Sequence, residues 1–281
     1  MKTLHKTAIS AAAVALLAGL TSTAVFAEEA AAPEASPVTA NVTVTNDYRY
    51  RGITQSNYQP AIQGGFDYAH ESGFYIGNWN SSINWISNGN PSTSAPIEMD
   101  FYGGFKKELI AEGFASDFGV LQYYYPMKGF TSTYMSNPNT TELYAAQNFT
   151  LGPVTGFGKV SYAVTTLFGT PNSKGSFYPD LTVNYDTGIW GLTANGHIGY
   201  QYVAGQPVTS GATLQTQKNI SYMDWKLGVT KDFGGGLSAQ ASYIATNANR
   251  NFYTTTVGGS SSTNTTWAGR GGANISLTKT F

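Results

Sequence analysis

The chain has 281 residues, no cysteine, 32 glycines, 14% aromatic and only 11% charged residues, and a formal net charge of −1. Charge is under half the ~25% usual in soluble domains, aromatics at this level exclude disorder, and glycine is too rich for a helical bundle. Beyond the first twenty-odd residues no apolar run approaches the ~18 of a spanning helix, and the weak net charge points to no nucleic-acid partner.

Lys2, His5 and Lys6 form a basic n-region, Ala8 to Leu20 an apolar core, and Val25-Phe26-Ala27 a small-residue cleavage site. Residues 1–27 therefore read as a secretory signal peptide. Their removal takes two lysines and no acids, so the net charge moves to −3. Residues 28–37 read as a flexible lead-in, and 38–281 as one barrel.

From there the chain alternates with period two, the mark of strands with one apolar face. Val38, Ala40, Val42 and Val44 interleave with Thr39, Asn41, Thr43 and Thr45; the last segment sets Ala273, Ile275 and Leu277 against Asn274, Ser276 and Thr278. Twelve segments emerge, near 38–52, 60–70, 74–86, 96–107, 114–126, 140–150, 154–167, 176–186, 189–203, 220–233, 236–247 and 268–281. Facing is open in the third and fifth, where both parities carry aromatics.

Connections give an independent sign. Joins after even segments are short (His70–Gly73, Leu151–Pro153, Asp186–Gly188, Gly234–Gly236), with Glu108–Gly113 a little longer. Joins after odd segments are longer and rich in Asn, Ser, Thr and Gly: 87–95, 127–139, 204–219 and 248–267. Short periplasmic turns, long outer loops and an even strand count predict an all-β, 12-stranded antiparallel up-and-down transmembrane β-barrel in the outer membrane of a Gram-negative bacterium. Its partners would be outer-membrane lipid, small polar solutes, and the assembly machinery, for which the terminal Phe281 is the expected signal. Trp79, Trp85, Trp190, Trp225 and Tyr200 suit the interfacial girdles, and Lys279 can snorkel from the lipid face.

Twelve strands ~4.8 Å apart and tilted ~40° give a circumference of roughly 75 Å and a diameter near 24 Å. About 6 Å of side chain on each wall leaves a passage of roughly 12 Å, provided no loop plugs it. Inward Tyr102, Tyr144 and Tyr178 are expected to narrow it further. Parity sends Asp47, Arg49 and Arg51 inward from strand one and places Arg270 on strand twelve. Glu98, Asp100, Glu142, Lys159, Asp180, His197, Asp224 and Lys226 complete the inward set. Two arrangements are open: arginines facing carboxylates across the lumen in a transverse field that orients dipolar solutes, or charges paired with immediate neighbours that only stiffen the wall.

Two rival classes remain, a barrel hydrolase and a passive adhesin or anchor. A Ser–His–acid site would need Ser161 or Ser242 near His197, and no spacing recommends it. Two histidines in the mature chain and no cysteine argue against a metal site, and nothing calls for a cofactor.

A further set of motifs carries a resemblance. Asn46-Asp47-Tyr48-Arg49-Tyr50-Arg51-Gly52-Ile53-Thr54-Gln55 runs on through Pro60, Gln63-Gly64-Gly65, Asp67-Tyr68 and Ser72 to Trp79. With Ile97 to Asp100, Tyr123-Tyr124-Tyr125-Pro126, Asp224 to Gly228 and Lys279-Thr280-Phe281, the mature chain resembles the TorF family of porins. Met127-Lys128 before Gly129 departs from the glycine expected directly after proline, in a loop. The resemblance implies an outer-membrane barrel with a transport role and no particular substrate.

Overall fold

Alternation builds one wall. The computed structural model describes residues 36–90, 92–131, 136–204, 220–256 and 265–281; the expected signal peptide, most of the expected lead-in and parts of the long loops lie outside the described residues. Twelve strands close a barrel: β1 (Val38–Thr45), β2 (Ala61–Ala69), β3 (Phe74–Ser82), β4 (Ile97–Ala111), β5 (Phe114–Tyr124), β6 (Thr140–Leu151), β7 (Val154–Ala163), β8 (Phe177–Asp186), β9 (Leu192–Gln201), β10 (Tyr222–Asp232), β11 (Leu237–Thr246) and β12 (Gly272–Thr280). Each pairs antiparallel with its sequence neighbours, and β12 closes on β1 with Val42 opposite Lys279 and Thr45 opposite Ser276. Closure removes every free edge, the condition for a sheet to cross lipid.

Burial assigns the faces. Val42, Val44, Ile62, Phe66, Ile198, Leu227 and Ile275 are exposed, whereas Thr43, Thr45, Asp180, Asp224, Thr230 and Thr278 are buried. Apolar outside and polar inside is the reverse of a soluble sandwich and fits a barrel whose solvent is hydrocarbon. The two ambiguous strands resolve by the same rule. Tyr75 and Trp79 point inward on β3, with Phe74 and Ile76 outward; Asp117, Leu121 and Tyr123 point inward on β5, with Phe118 and Val120 outward.

Several expectations need correction. Strand one ends at Thr45 rather than 52, and the chain then folds into the barrel. The join at 108–113 is no loop: β4 continues to Ala111 through a register shift between Glu108 and Ala111, a bulge that absorbs the extra residues. Trp190, Trp225 and Tyr200 are exposed on the outer surface, as a girdle requires. Trp79 and Trp85 are not. Trp79 packs edge-on against Tyr48 at 5.4 Å, and Trp85, on the short helix α1 (Trp85–Gly89), packs against Tyr125 at 5.6 Å. Both join an apolar cluster with Ile83, Ile86, Leu121 and Tyr123 inside the barrel at the end that carries the long loops, the expected outer end. Rings go inside there because the lumen holds protein rather than water.

Candidate functional site

Residues 46–60 fill that outer end. The departure begins at Asn46, whose amide oxygen accepts from Ile275 N at 2.7 Å while its own N–H donates to the Ile275 carbonyl at 3.1 Å. The side chain thus satisfies the β12 edge where β1 leaves it. Asp47 organises the inward segment: its carboxylate accepts from Thr54 Oγ1 at 2.6 Å and Ser56 Oγ at 3.1 Å, and pairs with Arg49. Arg49–Tyr50 pairs with Ile53–Thr54 in a miniature hairpin. Its turn residues Arg51 and Gly52 have φ of 45° and 76°, the two positive values that a type I′ turn demands. A Cβ on Gly52 would lie 2.8 Å from both Asp224 Cβ and Thr246 Cγ2, so the tip seats on β10 and β11.

The hairpin then reaches the remaining walls. Tyr48 donates to Glu98 Oε1 at 2.5 Å, Tyr125 donates to Glu98 Oε2 at 2.6 Å, and the Tyr50 and Tyr123 hydroxyls lie 2.6 Å apart. Arg51 Nη2 meets Glu142 Oε2 on β6 at 2.7 Å, with its guanidinium 4.1 Å from the Tyr178 ring centroid and 4.8 Å from that of Tyr50. Asp47 with Arg49, and Lys159 with Asp180 across the ladder, pair as immediate neighbours, whereas Arg51, Glu142 and Glu98 follow neither expected arrangement. Arg51 crosses the lumen and pairs directly with Glu142, cancelling a field between them, while Glu98 is held by phenols. Arg49 and Arg51 sit on the hairpin and Asp47 just before it, none of them on strand one. Arg270 precedes β12 and is exposed at the rim, with its guanidinium 4.6 Å from the Tyr58 ring. Burial pushes the Tyr58 phenol above its ordinary range, which keeps it a neutral donor to the Trp267 carbonyl.

Below the hairpin the lumen opens into a cavity of about 200 Å³. The inward tyrosines line it without crossing it. A Cβ on Gly199 would collide with the Tyr178 hydroxyl, so the missing side chain lets that ring lie flat along the wall. Tyr102 lies over Gly77 to reach Asp67 in the same way, and Tyr144 lies over Gly119 to reach Tyr75. A glycine on the next strand gives each of these rings a seat.

Opposite, β7 to β10 carry the charged belt. Lys159 Nζ lies 3.8 Å from Asp180 Oδ1; His197 Nε2 lies 3.1 Å from Asp224 Oδ1 and 3.0 Å from the Tyr178 hydroxyl; His197 Nδ1 lies 2.9 Å from Thr182 Oγ1. Both ring nitrogens thus engage groups other than Ser161 and Ser242. Tyr178 donates to Asp224 Oδ2 at 2.9 Å. Lys226 lines the cavity beside this belt. Glu98, Asp100 and Glu142 are inward and fully buried at the outer end, and Tyr102 lines the opposite wall. On β8 to β11 the next inward positions toward the short turns are neutral, with Asn195 bonded to Asn184 and Thr230, and Thr230 to Gln240.

The sequence reading missed Tyr48, Tyr50, Tyr123 and Tyr125 as anchors of the inward segment. The segment Asp47–Arg51 alternates polar and aromatic residues as a strand would. The Gly52 turn and the density of Asn, Gln and Ser after it were the available signals.

None of the curated proteins matches the chain. Among solved structures, the NanC porin matches with 8% identity over 86% of this chain and 98% of its own, at a TM-score of 0.50. The KdgM porin in complex with disordered oligogalacturonate matches at 5% identity, 87% and 97% coverage and 0.47. An outer membrane channel from Pseudomonas putida F1 matches at 11%, 87% and 95%, and 0.47. The likeness to NanC is one of fold, a closed twelve-strand barrel. The sequence model of the Gcw_chp family, bacterial proteins of unknown function, matches residues 27–281, and the chain belongs to that family.

Proposed function

We propose that this protein is an outer-membrane channel giving passive diffusion to small polar solutes, its lumen constricted by the hairpin within residues 46–60. The observation that carries the reading is the inversion of polarity: an apolar outer band around a polar lumen with a charged belt. Such an interior penalises apolar solutes and admits hydrated ones. The reading includes membership of the TorF family, export by a cleaved signal peptide over 1–27, and insertion by the outer-membrane assembly machinery through Phe281. In it, Asp47, Arg49 and Arg51 hold the constriction, while Lys159, Asp180, His197, Asp224 and Lys226 meet the solute.

A second reading has one observation in its favour: the hairpin fills the outer end of the lumen, as a permanently closed adhesin or anchor would allow. Proteoliposome swelling separates the two. A channel swells in small sugars and amino acids, and shortening the hairpin raises the rate. No swelling in either the intact protein or the hairpin-shortened variant assigns the closed barrel.

A further inference from the structure

We infer that the cavity beneath the hairpin is a binding subsite for small monovalent anions, carboxylates among them, centred on the Lys226 ammonium. This deepens the channel reading and rests on it for solute access to the lumen.

Asp47 is engaged with Arg49, and Arg51 with Glu142. Asp180 lies between Lys159 at 3.8 Å and His197 at 4.0 Å. Asp224 accepts from Tyr178 on one oxygen and lies 3.1 Å from His197 Nε2 on the other. Lys226 differs: among the described residues no hydrogen bond or ion pair reaches its ammonium, although it lines the same cavity. Register explains why. Its neighbours across the ladder are His197 and Ile244, neither of them acidic, and the next inward position on its own strand is Gly228, which has no side chain. Asp224 is next in the other direction; its oxygens are engaged by Tyr178 and His197, and it acts on Lys226 only through space.

The other acids are kept away from the cavity. Tyr48 and Tyr125 hold Glu98, Tyr75 donates to Asp117 at 2.6 Å, and Tyr102 holds Asp67. None of these four-strand-wall carboxylates (Glu98, Asp117, Asp67) lines the space. The Lys226 ammonium, with Asp224 two residues along as the nearest acid on its strand, therefore faces a partly desolvated cavity without a direct ion pair or hydrogen bond among the described residues, where unmet hydrogen-bonding capacity of a charge is costly and a mobile anion is drawn in. At about 200 Å³ the space exceeds by far the ~10–15 Å³ that a single water needs in the same measure, so a small organic anion fits beside Lys226.

The test is equilibrium binding of carbon-13 acetate to the purified barrel in detergent, followed by NMR line broadening, with neutral acetamide of the same shape as comparison. Saturable acetate binding is expected, with acetamide at least tenfold weaker. Lys226→Gln should weaken acetate at least tenfold. Lys106→Gln, an inward lysine outside the cavity lining, should leave it unchanged. Equal binding of acetate and acetamide by the unaltered protein overturns the proposal without needing any variant to fold. So does acetate binding unaffected by Lys226→Gln, or absent altogether. Swelling is read on the same preparation: acetate binding without solute passage removes the channel reading and keeps the subsite, and passage without binding does the opposite.

Discussion

Arg51→Ala tests the constriction most directly. The Arg51 and Glu142 side chains are 6% and 1% exposed and meet at 2.7 Å. Truncating one partner of a buried pair costs ~3–5 kcal/mol, because the other is left charged and alone. Here Tyr123 still lies within hydrogen-bond reach of Glu142, at 3.3 Å, so the lower end applies, about 3 kcal/mol. At ~1.4 kcal/mol per decade, the displaced hairpin should become about a hundredfold more populated. The assay is single-channel recording in planar bilayers, which should show more frequent openings of larger conductance. Glu142→Gln in the same chain removes the orphaned charge and should restore part of the closed population, a double-mutant cycle with a coupling of at least ~1 kcal/mol. Openings in Arg51→Ala indistinguishable from the unaltered protein would refute the latch. A double variant no better than the single one would refute the electrostatic account of it.

Three further outcomes follow from the wall. Gly199→Ala should displace the Tyr178 ring and lower stability by ~1–3 kcal/mol, whereas Gly196→Ala on the same strand, where a Cβ meets nothing nearer than 3.8 Å, should stay within ~0.5 kcal/mol; thermal unfolding in detergent compares them, and equal effects would sink the seat argument. Leu227→Lys places a charge on the outer band at a residue 70% exposed and should cost ~2–4 kcal/mol in lipid vesicles; a loss under ~0.5 kcal/mol by urea unfolding would mean that this face meets water. In single-tryptophan variants, brominated lipids should quench Trp190 and Trp225 and spare Trp79 and Trp85, and strong quenching of Trp79 would contradict its inward placement.

The wall was legible because a strand repeats every two residues and closure needs only neighbours in sequence to pair. Val42 against Thr43, or Ile275 against Ser276, carries its facing in its own polarity once the outer medium is known. The inward charges Glu98, Asp180, His197, Asp224 and Lys226 were readable for the same reason. Parity stops predicting partners where the chain leaves the wall. Tyr48-Arg49-Tyr50-Arg51 keeps the period of a strand, yet its partners are Glu98, Tyr123 and Glu142 on walls far away in sequence.

Low charge, abundant aromatics and glycine-rich turns, together with alternation and loop parity, determined by themselves a twelve-strand barrel with a polar interior. Only the tertiary structure decided that the lumen is constricted by a hairpin and that its tyrosines lie flat over glycines rather than across the space. It also left Lys226 without a direct ion pair among the described residues, with Asp224 engaged by Tyr178 and His197. Periodicity is a property of one strand, whereas a plug, a seat and an unpaired charge depend on which distant strands share a level of the barrel, and that is set by register and closure.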